Sequence, residues 1–123
     1  MAIVPLKALD EAAINARLVG TLQHWIYDGR FLKRTYRTGG WKGTLMVTNA
    51  IGHLAEAAWH HPEIVATYPA VEVRLETHDA GGITERDFEL AERIEAWVQW
   101  RPAAGSALEG TPQDAATLYI RYD

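Results

Sequence analysis

The sequence contains no cysteine and only one serine, Ser106. The lack of cysteine excludes disulfides, thiolate catalysis and any zinc or iron–sulfur site built on cysteine. Ser106 lies in an Ala- and Gly-rich segment that we expect to be flexible, so a Ser-His-Asp hydrolase is excluded as well.

Long apolar runs are also missing. The longest stretch without Asp, Glu, Lys or Arg lies between Lys42 and Glu56, which is shorter than the about 20 residues of a spanning helix. Near the N-terminus, Lys7 and Asp10 come too early for the apolar core of a signal peptide. The sequence therefore predicts a cytoplasmic protein.

An excess of positive charge is lacking too. Twelve Lys and Arg stand against sixteen Asp and Glu, which gives a net charge of −4. A mildly acidic chain is a poor candidate for binding nucleic acid or an anionic membrane. The two Gly-Gly pairs lack the spacing of a phosphate-binding loop. At roughly 150 residues per domain, the 123 residues predict one domain.

What the sequence does contain is a clear alternation of helical and strand patterns. Apolar residues at helical spacing predict three helices, and runs rich in β-formers predict two strand pairs, the first of which turns at Asp28-Gly29. In chain order the predicted elements are 8–20, 22–27, 31–36, 42–58, 63–67, 70–78 and a helix that begins at Thr84 and ends before Pro102. This α-β-β-α-β-β-α order predicts an α+β fold, a four-stranded antiparallel sheet with three helices packed on one face. Residues 103–123 form an extension, of which 116–122 is one more strand or an ordered tail.

Three of the five histidines, His60, His61 and His78, lie near predicted element ends. Because the pKa of free imidazole is about 6.5, such residues can both accept and donate a proton at neutral pH. The alternative is a purely structural hydrogen-bonding role. A zinc site is a further alternative. It is disfavoured because adjacent side chains diverge, and because no His-x-His or His-x-x-x-His pair occurs.

Two carboxylates and several aromatic residues accompany these histidines. Glu56 precedes His60 by four residues, so on a helix it could orient that imidazole; a solvated carboxylate is the alternative. Asp87, three residues after Thr84, fits a helix capping box. Five aromatic residues lie near predicted element ends and could stack on a flat heteroaromatic ligand, although packing explains most of them: Trp25, Tyr27, Trp41, Trp59 and Tyr68.

Taken together, these positions resemble the signature of the pterin-4a-carbinolamine dehydratases. The resemblance is carried by six polar or aromatic residues and one proline at fixed spacing: Glu56, His60, His61, Pro62, Tyr68, His78 and Asp87. The run from Thr77 to Asp87 is similar to the T-H-x-x-x-G-[LI]-[ST]-x-x-D block of that family. The similarity covers roughly residues 8–100. We therefore expect residues 1–102 to form the family-like domain and residues 103–123 to form the extension.

This resemblance implies a function and an assembly. The family dehydrates 4a-hydroxytetrahydropterin to quinonoid dihydropterin, a hydro-lyase reaction (4a-hydroxytetrahydrobiopterin dehydratase) that recycles tetrahydrobiopterin. It requires no metal and no organic cofactor. It also forms dimers or tetramers through sheet edges and helices. The pterin substrate and a homodimer or homotetramer are therefore the expected partners.

The resemblance also implies roles for individual residues. His61 and His78 are expected to form the acid/base pair, with His60 assisting, while Glu56 and Asp87 orient them. The substrate-contacting residues are expected to fall in two segments: Trp59, His60 and His61 in the first, and Glu76, Thr77, His78 and Asp79 in the second.

Three features depart from the family pattern. Trp59 stands where a small or polar residue is common, Ile64 stands where Trp is frequent, and residues 101–123 exceed the usual ending. A non-catalytic scaffold, assembly factor or oligomerisation and coactivator protein is therefore an alternative, as is a pterin-handling protein of molybdenum-cofactor metabolism. The retained histidines favour the enzyme over the scaffold.

Overall fold

A computed structural model of the chain describes residues 6–123. Residues 1–5, on which part of the prediction about a signal peptide rests, lie outside the described residues. Within the described part of the chain, no helix has the length and apolar character needed to cross a membrane.

The elements follow the predicted α-β-β-α-β-β-α order. They are α1 Glu11–Arg17, β1 Ile26–Tyr27, β2 Leu32–Arg37, α2 Trp41–Ala58, β3 Glu63–Thr67, β4 Ala70–Leu75 and α3 Glu85–Val98. The four strands form one antiparallel sheet in the order β1-β2-β4-β3. The predicted α+β fold with a four-stranded antiparallel sheet and three helices is confirmed.

Two predicted strands are shorter than the sequence pattern suggests. The first, predicted over 22–27, is reduced to two residues, because Gly20–Leu22 forms a 3₁₀ turn and the Trp25 side chain is buried in the core. The second, predicted over 70–78, ends at Leu75, since the chain turns back through the 3₁₀ turn His78–Ala80. Both changes occur where a tertiary contact outweighs local β-propensity.

The core lies between the sheet and the helices. Alternate residues of the two central strands are buried, so that one face of β2 and β4 is apolar and the other is charged or exposed. The buried set on this face is Leu32, Arg34, Tyr36, Val71, Val73 and Leu75. Phe88, Ala91 and Ile94 of α3 and Val47 and Ile51 of α2 complete this core.

One charged pair is buried inside this otherwise apolar face. The Arg34 guanidinium donates to both carboxylate oxygens of Glu95, at 2.9 and 3.1 Å. Trp25 Nε1 and the Tyr36 hydroxyl also donate to Glu95, at 2.9 and 2.8 Å. Burial by itself would raise the pKa of Glu95, but these hydrogen bonds and the Arg34 charge hold the pKa below its usual range. The carboxylate ties α3 to the sheet.

Candidate active site

The chain reverses direction directly after α2. Trp59 follows the last helical residue in the left-handed region, at φ 51°. Its amide and that of His60 donate hydrogen bonds to carbonyls of the last helical turn, and Pro62 keeps residue 61 out of the helical region. The two adjacent histidines therefore point to different sides, His60 into the protein and His61 towards solvent.

His60 is held by a buried carboxylate. Its Nε2 lies 2.6 Å from Oδ1 of Asp87, whose side chain is completely buried in the first turn of α3. A carboxylate can only accept hydrogen bonds, so with Asp87 ionised Nε2 carries the proton and donates it. The other ring nitrogen, Nδ1, is then the one left for a different partner.

Two threonines fix the orientation of Asp87. Its Oδ2 accepts a hydrogen bond from the Thr77 hydroxyl at 2.7 Å and another from the Thr84 amide at 2.9 Å. The two hydroxyls lie 2.7 Å apart, and both side chains are buried. With these donors and His60, Asp87 joins α3, the end of β4 and the turn after α2 at one point.

His61 belongs to a separate, exposed arrangement. Its Nε2 lies 2.8 Å from Oε1 of Glu56, and the Trp59 ring stands edge-on to the imidazole, with ring centroids 4.9 Å apart. The i,i+4 spacing predicts that Glu56 orients His60, but the structure pairs Glu56 with His61. Because α2 ends at Ala58, the helical spacing does not extend to His60.

His78 occupies the first position of the 3₁₀ turn after β4 and is exposed. A short ladder closes this turn, since Thr77 N–H donates to the Gly82 carbonyl and Gly81 N–H donates to the His78 carbonyl. Gly81 is at φ 73°, a conformation that glycine adopts without strain. Because the preceding residue, Thr77, is bonded to Asp87, the backbone of His78 is anchored to the carboxylate that holds His60.

The side chains of the predicted substrate-contacting segment 76–79 do not all face the same way: Thr77 is buried, whereas His78 and Asp79 are exposed. Glu76 is paired with Arg30 of the β1–β2 turn by two hydrogen bonds of 3.1 and 3.2 Å. The Thr77 hydroxyl faces inward, and its backbone N–H and carbonyl bind Gly82 and Ala80. His78 and Asp79 are the exposed members.

Tyr68 lies far from the histidines, although it belongs to the same motif. Its ring packs over Gly40, which immediately precedes α2, whereas His60 and His61 follow the other end of that helix. An 18-residue helix is about 27 Å long. Tyr68 therefore packs at the opposite end of α2 from the histidines.

The sequence predicts Thr84 as a helix cap, and Thr84 also lies in the family-like block from Thr77 to Asp87. In the structure the capping box is present, and Asp87 is both its acidic member and the partner of His60. The capping motif by itself does not indicate that this carboxylate reaches a histidine 27 residues earlier in the chain. Only the family resemblance implies that Asp87 orients the histidines.

An open groove runs next to this region, between the second half of α2 and α3. It has a volume of about 770 Å³, and apolar and charged residues share its lining: Leu54, Ala57, Ala58, Leu90 and Ala96 with Arg86, Glu89, Glu92 and Arg93. Within residues 6–123, no three His, Asp or Glu side chains are grouped so that they could hold a metal ion.

Comparison with known proteins gives consistent matches. The sequence profile of the family described as "Pterin 4 alpha carbinolamine dehydratase" matches residues 7–97. A protein of Aquifex aeolicus named "Putative pterin-4-alpha-carbinolamine dehydratase" is 40% identical over 94 residues, which cover 76% of this chain and 94% of that protein. A protein of Natronomonas pharaonis with the same name is 46% identical over 87 residues, or 71% of this chain and 91% of that protein.

A solved structure agrees with these matches. The crystal structure of a "transcriptional coactivator/pterin dehydratase" from Brucella melitensis superimposes with a TM-score of 0.67 at 30% identity. The superposition covers 73% of this chain and 97% of that chain. The profile match leaves residues 98–123 of this chain uncovered.

Proposed function

The chain belongs to the pterin 4α-carbinolamine dehydratase family, and from this premise we propose that it dehydrates 4a-hydroxytetrahydropterin to quinonoid dihydropterin and water. The observation that carries the proposal is the attachment of His60 and the His78 turn to one buried carboxylate, Asp87. His61 is the residue that follows His60 in the sequence. We further propose that the reaction serves tetrahydrobiopterin recycling in the cytoplasm.

The chemistry requires two proton transfers. A proton must reach the hydroxyl on C4a, so that the C4a–O bond breaks and its electron pair leaves with water. The adjacent ring nitrogen must lose its proton, so that its electrons form the new C=N bond. One acid and one base satisfy this balance, and each positioned proton transfer is worth about 10²–10⁴ in rate.

We assign these transfers to His61 and His78. Both imidazoles are exposed, and the 2.8 Å contact with Glu56 fixes the orientation of His61. His60 has one nitrogen committed to Asp87, so we assign it to substrate binding and assistance through Nδ1. Glu56 and Asp87 are positioning residues in this scheme.

Trp59 and the 76–79 turn are proposed to contact the pterin. The Trp59 ring is 73% exposed and stands beside His61, so one face is available to a flat bicyclic ring. In the second segment His78 and Asp79 are exposed. Thr77 contributes to this segment by holding Asp87, since its hydroxyl and both backbone groups are already bonded.

The first experiment is the dehydration rate of 4a-hydroxytetrahydropterin with purified protein, compared with the spontaneous rate, in the presence of EDTA. We expect acceleration that survives EDTA. His61→Ala should lower kcat by at least about 10². The control is His53→Ala, at a histidine of α2 that lies beside Trp97 of α3, and it should retain the wild-type rate. Wild-type turnover of His61→Ala would remove His61 from the mechanism. If the wild-type protein did not accelerate the reaction, the proposed dehydratase activity would be wrong.

An exposed apolar surface supports self-association. Trp41, Leu45 and Met46 of α2 are between 44 and 49% exposed. We propose that this face of α2 contacts a second copy of this chain in a homodimer or homotetramer. A Leu45→Glu variant that keeps the wild-type molar mass would contradict this assignment.

A non-catalytic coactivator protein is the second candidate function. It is supported by the name of the Brucella structure, which includes "transcriptional coactivator".

A further inference from the structure

The end of the chain returns to the sheet, beyond the part that the family profile covers. The profile match stops at residue 97, and residues 101–117 are largely exposed. Ile120 then forms an antiparallel bridge with Thr38, directly after β2. Gly39 N–H donates to the Tyr119 carbonyl and Arg121 N–H donates to the Arg37 carbonyl, both at 2.9 Å. We call residues 118–123 the C-terminal strap.

The strap is packed as part of the core. Ile120 is completely buried within the main hydrophobic cluster, and Tyr119 and Tyr122 pack against that cluster. The Arg101 guanidinium lies over the Tyr122 ring, 4.5 Å from its centroid. Burial of an isoleucine side chain is favourable, so apolar burial acts together with the two backbone hydrogen bonds to hold the strap in place.

Two glycines make room for the strap. A methyl group at Gly39 would overlap the Leu118 carbonyl oxygen, and a methyl group at Gly43 would overlap the Tyr119 carbonyl oxygen. Neither glycine has a positive φ, so backbone conformation does not require glycine at these positions. The close approach of the strap does require it.

An ion pair fixes the last residue. Asp123 Oδ2 accepts a hydrogen bond from Arg34 Nη2 at 2.7 Å, and the Asp123 amide donates to Gln99 Oε1 at 3.0 Å. The Arg34 side chain is only 4% exposed. The strap therefore supplies a second carboxylate to the buried cation that Glu95 holds from the other side.

The position of the strap on the sheet points to its role. On this edge β1 pairs with only Leu32 and Lys33 of β2, which leaves the second half of β2 without a neighbouring strand of the sheet. An uncovered strand edge is a template for pairing with another chain. We propose that the strap is an intramolecular blocking strand, which occupies the end of the β2 edge at Arg37 and prevents a second copy of this chain from pairing there.

This inference does not depend on the proposed catalytic activity. It limits how the chain can assemble. While the strap is docked, self-association can use the β3 edge or the helices, and the end of the β2 edge at Arg37 is closed. Displacing the strap would expose both the strand edge and the core surface that Ile120 covers, and the two together favour association.

The test uses two glycine-to-alanine variants of the full chain. Gly43→Ala closes the strap's docking position in every copy, so that a strap from another chain cannot dock there either. Gly52→Ala is the matched control, because it lies in the same helix with nothing within 4 Å of the added methyl group. The readouts are amide hydrogen exchange of Gly39 and Arg121, and molar mass by light scattering over a hundredfold range of concentration.

We expect exchange of these two amides to accelerate at least about tenfold in Gly43→Ala, and the molar mass to rise above that of the wild type as concentration increases. Gly52→Ala should match the wild type in both readouts. Unchanged exchange in Gly43→Ala would overturn the docking of the strap. Accelerated exchange with a wild-type mass curve would overturn the blocking role.

A second variant covers the case in which Gly43→Ala perturbs the start of α2. Ile120→Asp places a charge in the buried position of the strap and leaves β2 and α2 unchanged. It should give the same acceleration and the same rise in mass. Far-UV circular dichroism checks that the rest of the fold persists, and a released strap with a wild-type mass curve would again reject the proposal.

Discussion

At the scale of single residues, Asp87 connects three separate parts of the chain. It caps α3 through the Thr84 amide, accepts the Thr77 hydroxyl and faces His60, all from a completely buried position. A buried carboxylate that loses one of its donors keeps its full desolvation cost. Residues around Asp87 therefore affect both the stability of the fold and the orientation of His60.

Thr77 tests this directly. Thr77→Val removes the hydroxyl that Asp87 Oδ2 accepts, and we expect the free energy of unfolding to fall by about 1–3 kcal/mol. Thr77→Ser restores the donor and should recover most of this loss. Urea denaturation measures both variants. A Val variant as stable as the Ser variant would show that the hydrogen bond contributes nothing.

Glu95 gives a pH dependence with a definite sign. The pKa of Glu95 is lowered from 4.5 in the folded protein, where Arg34 and Tyr36 offset the cost of burial. Because the pKa of Glu95 is lower in the folded protein than in the unfolded chain, its ionised carboxylate stabilises the fold at pH values above the unfolded-state pKa. This stabilisation is lost as the pH falls through the folded-state pKa. The stability difference between wild type and Glu95→Gln should therefore be largest near pH 7 and should shrink below pH 4.5. A constant difference in urea denaturation across this range would contradict the assignment.

At the scale of elements, the end of α2 decides the layout of the site. The helix stops at Ala58, and the left-handed Trp59 sends His60 inward and His61 outward. Glycine is the usual residue at such a position, since a side chain there carries a conformational cost of about 1 kcal/mol. A large, exposed aromatic residue in a strained position is consistent with a binding role.

Trp59→Gly separates folding from binding. The variant relieves the left-handed strain, and the Trp59 ring is 73% exposed, so little packing is lost. We expect thermal stability to be equal or higher, while KM for the pterin rises about three- to tenfold through the loss of stacking. An unchanged KM would exclude Trp59 from substrate contact, and a clear fall in stability would make it a structural residue.

At the scale of the whole molecule, the C-terminal strap attaches to a sheet that is formed by the earlier part of the chain. Residues 6–98 supply four strands and three helices, and the C-terminal strap bridges Thr38, directly after β2, with Ile120. The extension beyond the family profile is therefore joined to the core at its far end. Its intervening loop, in contrast, is exposed.

Two substitutions within the extension make this contrast measurable. Ile120→Ala empties a fully buried position and should lower the free energy of unfolding by about 2–5 kcal/mol. Leu108→Ala, at a position 70% exposed in the same extension, should change it by less than about 0.5 kcal/mol. Equal effects of the two substitutions in urea denaturation would show that the strap is not integrated into the core.

The sequence by itself determined those features that form between residues close together in the chain, which are the helices, the hairpin and the helix cap. Helical and strand periodicity predicted the element order, Asp28-Gly29 predicted the first hairpin, and Thr84 with Asp87 predicted the capping box that the structure contains. The fixed spacing of the histidine motif identified the family. These features are visible in sequence because a turn of helix, a hairpin or a cap is formed within a few residues.

Only the tertiary structure decided which side chains meet. Asp87 faces His60 across 27 residues, Glu95 holds Arg34 across 61, and Asp123 reaches Arg34 across 89. Glu56 pairs with His61 because the helix ends before His60. Contacts of this kind depend on how the helices pack on the sheet, and the local pattern does not encode that geometry. For the same reason, the pairing of Ile120 with Thr38 follows from space at Gly39 and Gly43, which has meaning only once the fold has formed.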